Sequence, residues 1–354
     1  MKIYDYKKES LSNLNISLDK NFKFISKASL DNILKFNITF KSPYETGIPH
    51  NDSVYSELFL RKSFLKNNIN LDTESDNLLN ILENFDNEIK LVILVHGFST
   101  KDRKLNVYYT FIKNLLNNSF ACFFINLPFH LNRTVKNEVS GGRLIYYDDL
   151  ETLKFFHQCV VDIRKSIDVI EYLINPKIIN ICGISLGSMV SVITMAVEKR
   201  IKKGALIIGG GHWEEIHWNG ILKLVLRGNC ANEGIINRNK CHEYYSNYFN
   251  FLENFKKEKL TYSISELQKD YSSDPHCIKK CYLCDPLTFA HMINPENVIM
   301  INSNLDHFFT KRSTKLLWEE LGKPKIYWFN YPHMSSILNK KAVFNIILKF
   351  FNES

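Results

Sequence analysis

Six short, largely apolar runs, each separated from the next by a longer segment, constrain this chain more than any other feature. They are KLVILV from Lys90, FACFFI from Phe120, KIINICGI from Lys177, KGALII from Lys203, NVIMIN from Asn297 and KIYWF from Lys325. A short apolar run without polar alternation suits a strand covered on both faces, as in a parallel sheet. Most of the segments between them have helical spacing: KLNVYYTFIKNLLNN, DDLETLKFFHQCVVDIRKSIDVIEYLI, LGSMVSVITMAVEKRI and TKRSTKLLWEELG, with SSILNKKAVFNIILKFF after the last run. Strand and helix in alternation build right-handed crossovers, so the expected fold is α/β, a mostly parallel sheet with helices on both faces.

The alternation stops between His212 and Met292, where HEYYSNYFNFLENFKKEKL and SISELQKDY read as helices without a buried strand. The chain is therefore divided into an N-terminal segment of no assigned role (1–30), a core (31–211 and 293–354) and a cap or lid insertion (212–292). Within the core, ILKFNITFKSP and VYSELFLRKS read as an antiparallel pair joined through the turn-rich SPYETGIPHNDS. The 354 residues, 45% hydrophobic and 13% aromatic, are ample for a packed core. The net charge of +8 is scattered among Asn and Ile with no basic run, which argues against a nucleic-acid partner. The polar MKIYDYKKESLSNLN is unlike a secretory leader, and no stretch reaches the ~18 apolar residues of a membrane span. The expected setting is cytoplasmic, with the eight cysteines as reduced thiols.

The third run ends in NICGISLGSM, a Gly-x-Ser-x-Gly that passes directly into a helix. A strand-to-helix turn this tight forces Ser185 into strained backbone angles, and side chains at positions 183 and 187 would clash. A serine hydroxyl needs a base to take its proton, and the base needs an acceptor that fixes its tautomer. NVIMINSNLDHFF puts Asp306 just beyond one run, and KIYWFNYPHMSS puts His333 just beyond the next. The predicted triad is Ser185, Asp306 and His333.

With HGF at 96–98, GISLGS at 183–188, NLDHFF around Asp306 and YPHMSS around His333, the chain resembles the α/β-hydrolase family from about Ile33 to Phe351. It looks most like uncharacterised bacterial carboxylesterase-like members. The resemblance implies an oxyanion hole made by the backbone N–H groups of Phe98 and Leu186, with His96 holding the loop shape. It implies a small-molecule ester substrate and no metal or organic cofactor. Thioesterase, lipase, peptidase and acyltransferase chemistry share such a triad, and a ligand sensor could retain the same scaffold. Oligomeric state is not legible.

Other residues compete for attention. His307, His276 and His291 are weaker bases by position, and Asp285, in CDPLTF, reads as a helix-starting residue rather than the triad acid. Cys277, Cys281 and Cys284, with Cys230 and Cys241 nearby, have spacings that a metal could use, although coincidence among reduced thiols is the preferred reading. His212 and His217 lie five residues apart, off a common helical face. His130 and Arg133, in LPFHLNRT, could meet a substrate carboxylate, or Arg133 could pair with an acidic residue. The aromatic residues of the insertion read first as packing and second as pocket lining.

Overall fold

The computed structural model describes residues 2–11, 13–24, 32–66, 78–100, 102–144, 149–221, 238–257, 263–267, 279–331 and 341–353. Nine strands form one mixed sheet: β1 Asn15–Leu18, β2 Ile33–Lys41, β3 Ser53–Arg61, β4 Lys90–Val95, β5 Phe120–Ile125, β6 Ile178–Ile184, β7 Ile201–Ile207, β8 Val298–Ser303 and β9 Lys325–Phe329. Their order is β1-β2-β3-β5-β4-β6-β7-β8-β9. The run from β5 to β9 is parallel, whereas β1, β2 and β3 pair antiparallel and β3 joins β5 antiparallel. The apolar runs are the parallel strands, and the turn-rich SPYETGIPHNDS brings Lys41 opposite Ser53 as β2 meets β3.

Two groups of helices cover the faces. Helix α1 (Asp102–Asn117) lies with α9 (Lys341–Asn352), Phe111 meeting Phe344 edge-on at 5.4 Å. On the other face α2 (Asp149–Ile174) packs on α3 (Leu186–Val197). Leu91 to Val95 of β4 are all fully buried, which is why no polar residue alternates with them. Burial of each such side chain contributes roughly 1.5–3 kcal/mol.

Between β7 and β8 lie α4 (Trp213–Asn219), α5 (Arg238–Ser246), α6 (Tyr248–Lys257) and α7 (Pro286–Ala290), with no strand among the described residues; α8 (Lys311–Glu320) follows β8. Tyr282 packs at 4.9 Å from both Tyr248 and Phe251, so these aromatics fill an interior. The N-terminal segment, which has no periodic pattern, is tied down by distant partners. Ile3 and Tyr4 are buried, the Tyr4 hydroxyl donates to the Leu283 carbonyl at 2.8 Å, and Arg164 of α2 donates to the Tyr4 carbonyl at 2.7 Å.

Candidate active site

Ser185 sits between β6 and α3 with φ 56° and ψ −115°. A non-glycine residue there costs about 1–3 kcal/mol, and the surrounding structure must hold it. The Ser185 N–H donates to the Ile207 carbonyl of β7 at 2.9 Å, and its carbonyl accepts from Ser188 at 2.9 Å. A Cβ on Gly183 would lie 2.3 Å from the Gly187 carbonyl oxygen, and one on Gly187 would lie 2.2 Å from the Val95 carbonyl oxygen. Both glycines are therefore dictated by backbone approach, and the elbow is locked against β4. Leu186 is the first residue of α3, so its N–H has no acceptor within the helix.

The loop after β4 runs beside the elbow, since the Gly187 Cβ position is also 2.7 Å from the His96 carbonyl oxygen. Three side chains shape this loop. The Gly97 N–H donates to the Tyr108 hydroxyl at 2.9 Å, and the Thr100 hydroxyl donates to the Gly97 carbonyl at 2.8 Å. His96 Nε2 accepts from the Leu127 N–H at 3.1 Å, so its proton is on Nδ1, which lies 2.8 Å from the Gly97 carbonyl. Burial, together with the nearby His130, pushes the His96 pKa down to about 3, and the ring is neutral. Phe98 and Ser99 form the turn at the loop's tip, Ser99 having a positive φ of 52°. Tyr108 was not singled out in the sequence, where it reads as one more apolar position of an amphipathic helix.

Asp306 follows β8. Its Oδ1 accepts from the N–H groups of Phe308 at 2.6 Å and Phe309 at 3.1 Å, which fixes the carboxylate on its own loop. The ends of β8 and β9 are held together there: the Asn304 N–H donates to the Phe329 carbonyl at 2.8 Å, and the Ser303 hydroxyl donates to the Tyr331 carbonyl. His333 lies outside the described residues, as do Cys277, Cys230 and His276. The structure brings Ser185, Leu186 and the 96–98 loop together at the ends of β4 and β6. Asp306 follows β8, two strands from the elbow strand.

The competing residues have other engagements. Asp285 is fully buried, caps α7 through the Leu287 N–H at 3.1 Å, and accepts from the N–H groups of His212 and Trp213, each at 3.0 Å, and from the Tyr245 hydroxyl at 3.1 Å. Burial raises its pKa to about 6. It is a structural tie between the 211–213 turn and the base of α7. Arg133 is fully buried and pairs with Asp162 of α2 at 2.8 Å, so it faces no solvent or ligand. His212 stacks on Phe249 at 5.8 Å, and His217 lies 5.1 Å from the ring of Trp213. Cys241, Cys281 and Cys284 are buried. No group of three potential metal ligands is assembled among the described residues.

No family model matches the chain. It is 28% identical over 109 residues, 28% of its own length and 94% of the relative's, to an uncharacterised protein, YdjC, of Bacillus subtilis. Among solved structures, an acetyl xylan esterase from Paenibacillus sp. R4 superposes with a TM-score of 0.53 at 9% identity, over 97% of this chain and 89% of that one. A cold-adapted esterase from an Arctic intertidal metagenomic library superposes with a TM-score of 0.50 at 14% identity, over 94% of this chain and 97% of that one. At such identities the likeness is one of fold alone: the chain shares the α/β architecture of these two esterase structures.

Proposed function

We propose that this protein is a serine hydrolase acting on carboxylic esters. The observation that carries the reading is the elbow: a strained, non-glycine Ser185 between two glycines that touch backbone, on the turn from a buried parallel strand into a helix. In the proposed reaction Ser185 Oγ attacks the ester carbonyl carbon as His333 takes its proton. Asp306 orients His333 and stabilises the imidazolium. The N–H groups of Phe98 and Leu186 hold the oxyanion, Leu186 with the positive end of α3 behind it. Collapse breaks the acyl–oxygen bond, and the leaving alkoxide takes the proton from His333. Water, deprotonated by His333, then attacks the acyl-enzyme and releases the acid and the free serine.

Support for the acid and base comes from their order along the chain, and for the acid also from the bonds that join the ends of β8 and β9 ahead of Asp306. The helical insertion, residues 212–292, is proposed as a cap over the ester. A cytoplasmic setting is part of the same proposal; no described helix is long and apolar enough to cross a membrane.

The test is a fluorophosphonate probe together with turnover of short and medium p-nitrophenyl esters. Ser185→Ala should lose labelling and about 10⁶-fold in kcat. Asp306→Asn should keep the fold and lose about 10⁴-fold. A folded wild type that neither labels nor turns over sinks the proposal.

A further inference from the structure

The segment from Leu127 to Gly141 carries three features at one residue that a plain packing residue would not need. His130 is fully buried, yet its Nε2 has no hydrogen-bond partner among the described residues. Both neighbours are non-glycine residues at positive φ, Phe129 at 59° and Leu131 at 51°. Gly141, at φ +78°, lies so close that a Cβ there would be 2.4 Å from His130 Nε2. A leucine in an ordinary backbone would avoid the orphaned nitrogen and the two strained neighbours, each worth about 1–3 kcal/mol. What the arrangement achieves is one fixed ring orientation. His130 Nδ1–H donates to the Pro128 carbonyl at 2.8 Å, and the ring stands edge-on to Phe98 at 6.1 Å and 5.1 Å from the ring of His96.

The same segment grips the 96–100 loop on either side of that contact. At one end the Leu127 N–H binds His96 Nε2. At the other the Ser140 hydroxyl donates to the Thr100 carbonyl at 2.6 Å while accepting from the Leu131 N–H at 3.2 Å. The Gly141 N–H closes the segment on the Phe129 carbonyl at 2.8 Å. Buried Arg133 anchors it, donating to the carbonyls of Asn51 and Asn126 and to Asp162.

We infer that His130 is a positioning residue for the oxyanion loop: its ring holds the ring of Phe98, and so sets the direction of the Phe98 N–H. The inference rests on the reading of Phe98 as an oxyanion donor. His130 touches no reacting atom, so its loss should lower kcat rather than weaken ester binding.

The experiment compares wild type, His130→Ala, His130→Asn, Phe98→Ala and the Phe98→Ala/His130→Asn double variant on p-nitrophenyl esters, with fluorophosphonate labelling and thermal melting alongside. Asn can keep a donor for the Pro128 carbonyl while removing the ring, so it serves if the alanine variant does not fold. Expected is a loss of about 10–100-fold in kcat, with KM within about threefold, and a double variant no slower than the worse single. An active wild type whose His130→Asn variant keeps kcat overturns the inference alone. So do losses that multiply in the double variant, since the two rings would then act separately. A wild type without labelling or turnover overturns the esterase reading and the inference with it.

Discussion

The elbow and the Leu127–Gly141 segment are both strained, and they are held in opposite ways. At the elbow the strain is confined to Ser185, and the means of holding it lie two residues away, in two glycines whose missing side chains let backbones touch. In the other segment Phe129, Leu131 and Asn137 all take positive φ without being glycine. They are held from far along the chain, by the carbonyl of Asn51, the carboxylate of Asp162, and the Asn51 side chain, which accepts from the Phe129 N–H at 2.9 Å. Strain held by local omission of side chains leaves a spacing in the sequence. Strain held by buried polar partners leaves none.

The contrast can be broken at the elbow first, where the largest effect is expected. Gly187→Ala puts a Cβ 2.2 Å from the Val95 carbonyl oxygen, and backbone of the central strand cannot retreat. The loss should exceed about 4 kcal/mol, read as a shifted urea midpoint or absence of folded protein. A variant that folds and labels normally would show that the elbow has slack. Next in size is Arg133→Met, which leaves the Asp162 carboxylate buried and unpaired at a cost of about 3–5 kcal/mol. Replacing Asp162 by Leu as well should restore much of that. An unchanged midpoint in the single variant would put the anchor of the segment elsewhere.

The same contrast explains what could be read in advance. The parallel strands, the helices between them and the elbow were legible because each follows from periodicity or spacing within a few residues. Asp285 was legible as a helix start because Asp-Pro is a local signal, and its carboxylate does cap α7. Arg133 remained undecided between ligand and ion pair, since its partner Asp162 lies on α2, 29 residues away. The N-terminal segment was opaque for the same reason: Tyr4 is fixed by Leu283, 279 residues on. Tyr108 shapes the 96–100 loop by tertiary contact and nothing local marks it, whereas His130, marked by its loop as a possible contact to a substrate carboxylate, is instead fully buried with its Nδ1 on the Pro128 carbonyl.

Acid sharpens the comparison, because the 127–141 side holds buried imidazoles and the elbow holds none. Burial lowers His130 to about 4 and His96 to about 3. In the unfolded chain both titrate near 6.5, so below that pH the unfolded state binds protons that the folded state refuses. Stability from this source is complete above about pH 6.5 and declines as pH falls towards 4, by roughly 3 kcal/mol for His130. Melting curves across that window should show the decline, and His130→Asn should be flatter by that share. Parallel curves for the two proteins would mean that His130 accepts a proton without leaving its seat.

The smallest effect separates backbone strain from the ring's seat. Gly141 and Gly47 share the same φ of +78°, but a Cβ on Gly47 meets nothing within 4 Å, whereas one on Gly141 meets His130 Nε2 at 2.4 Å. Gly47→Ala should therefore cost only the left-handed penalty of about 1 kcal/mol and leave ester turnover alone. Gly141→Ala bears the same penalty and must also displace the ring, which is confined by the Pro128 carbonyl and by Phe98, His96 and Phe155. Its stability should fall by about another 1 kcal/mol, the modest end of overpacking, because a side chain yields more readily than backbone. With the ring pushed against Phe98, kcat should fall in Gly141→Ala and not in Gly47→Ala. Equal kcat in the two variants, at unequal stability, would leave the ring as packing and confine the mechanism to the elbow side.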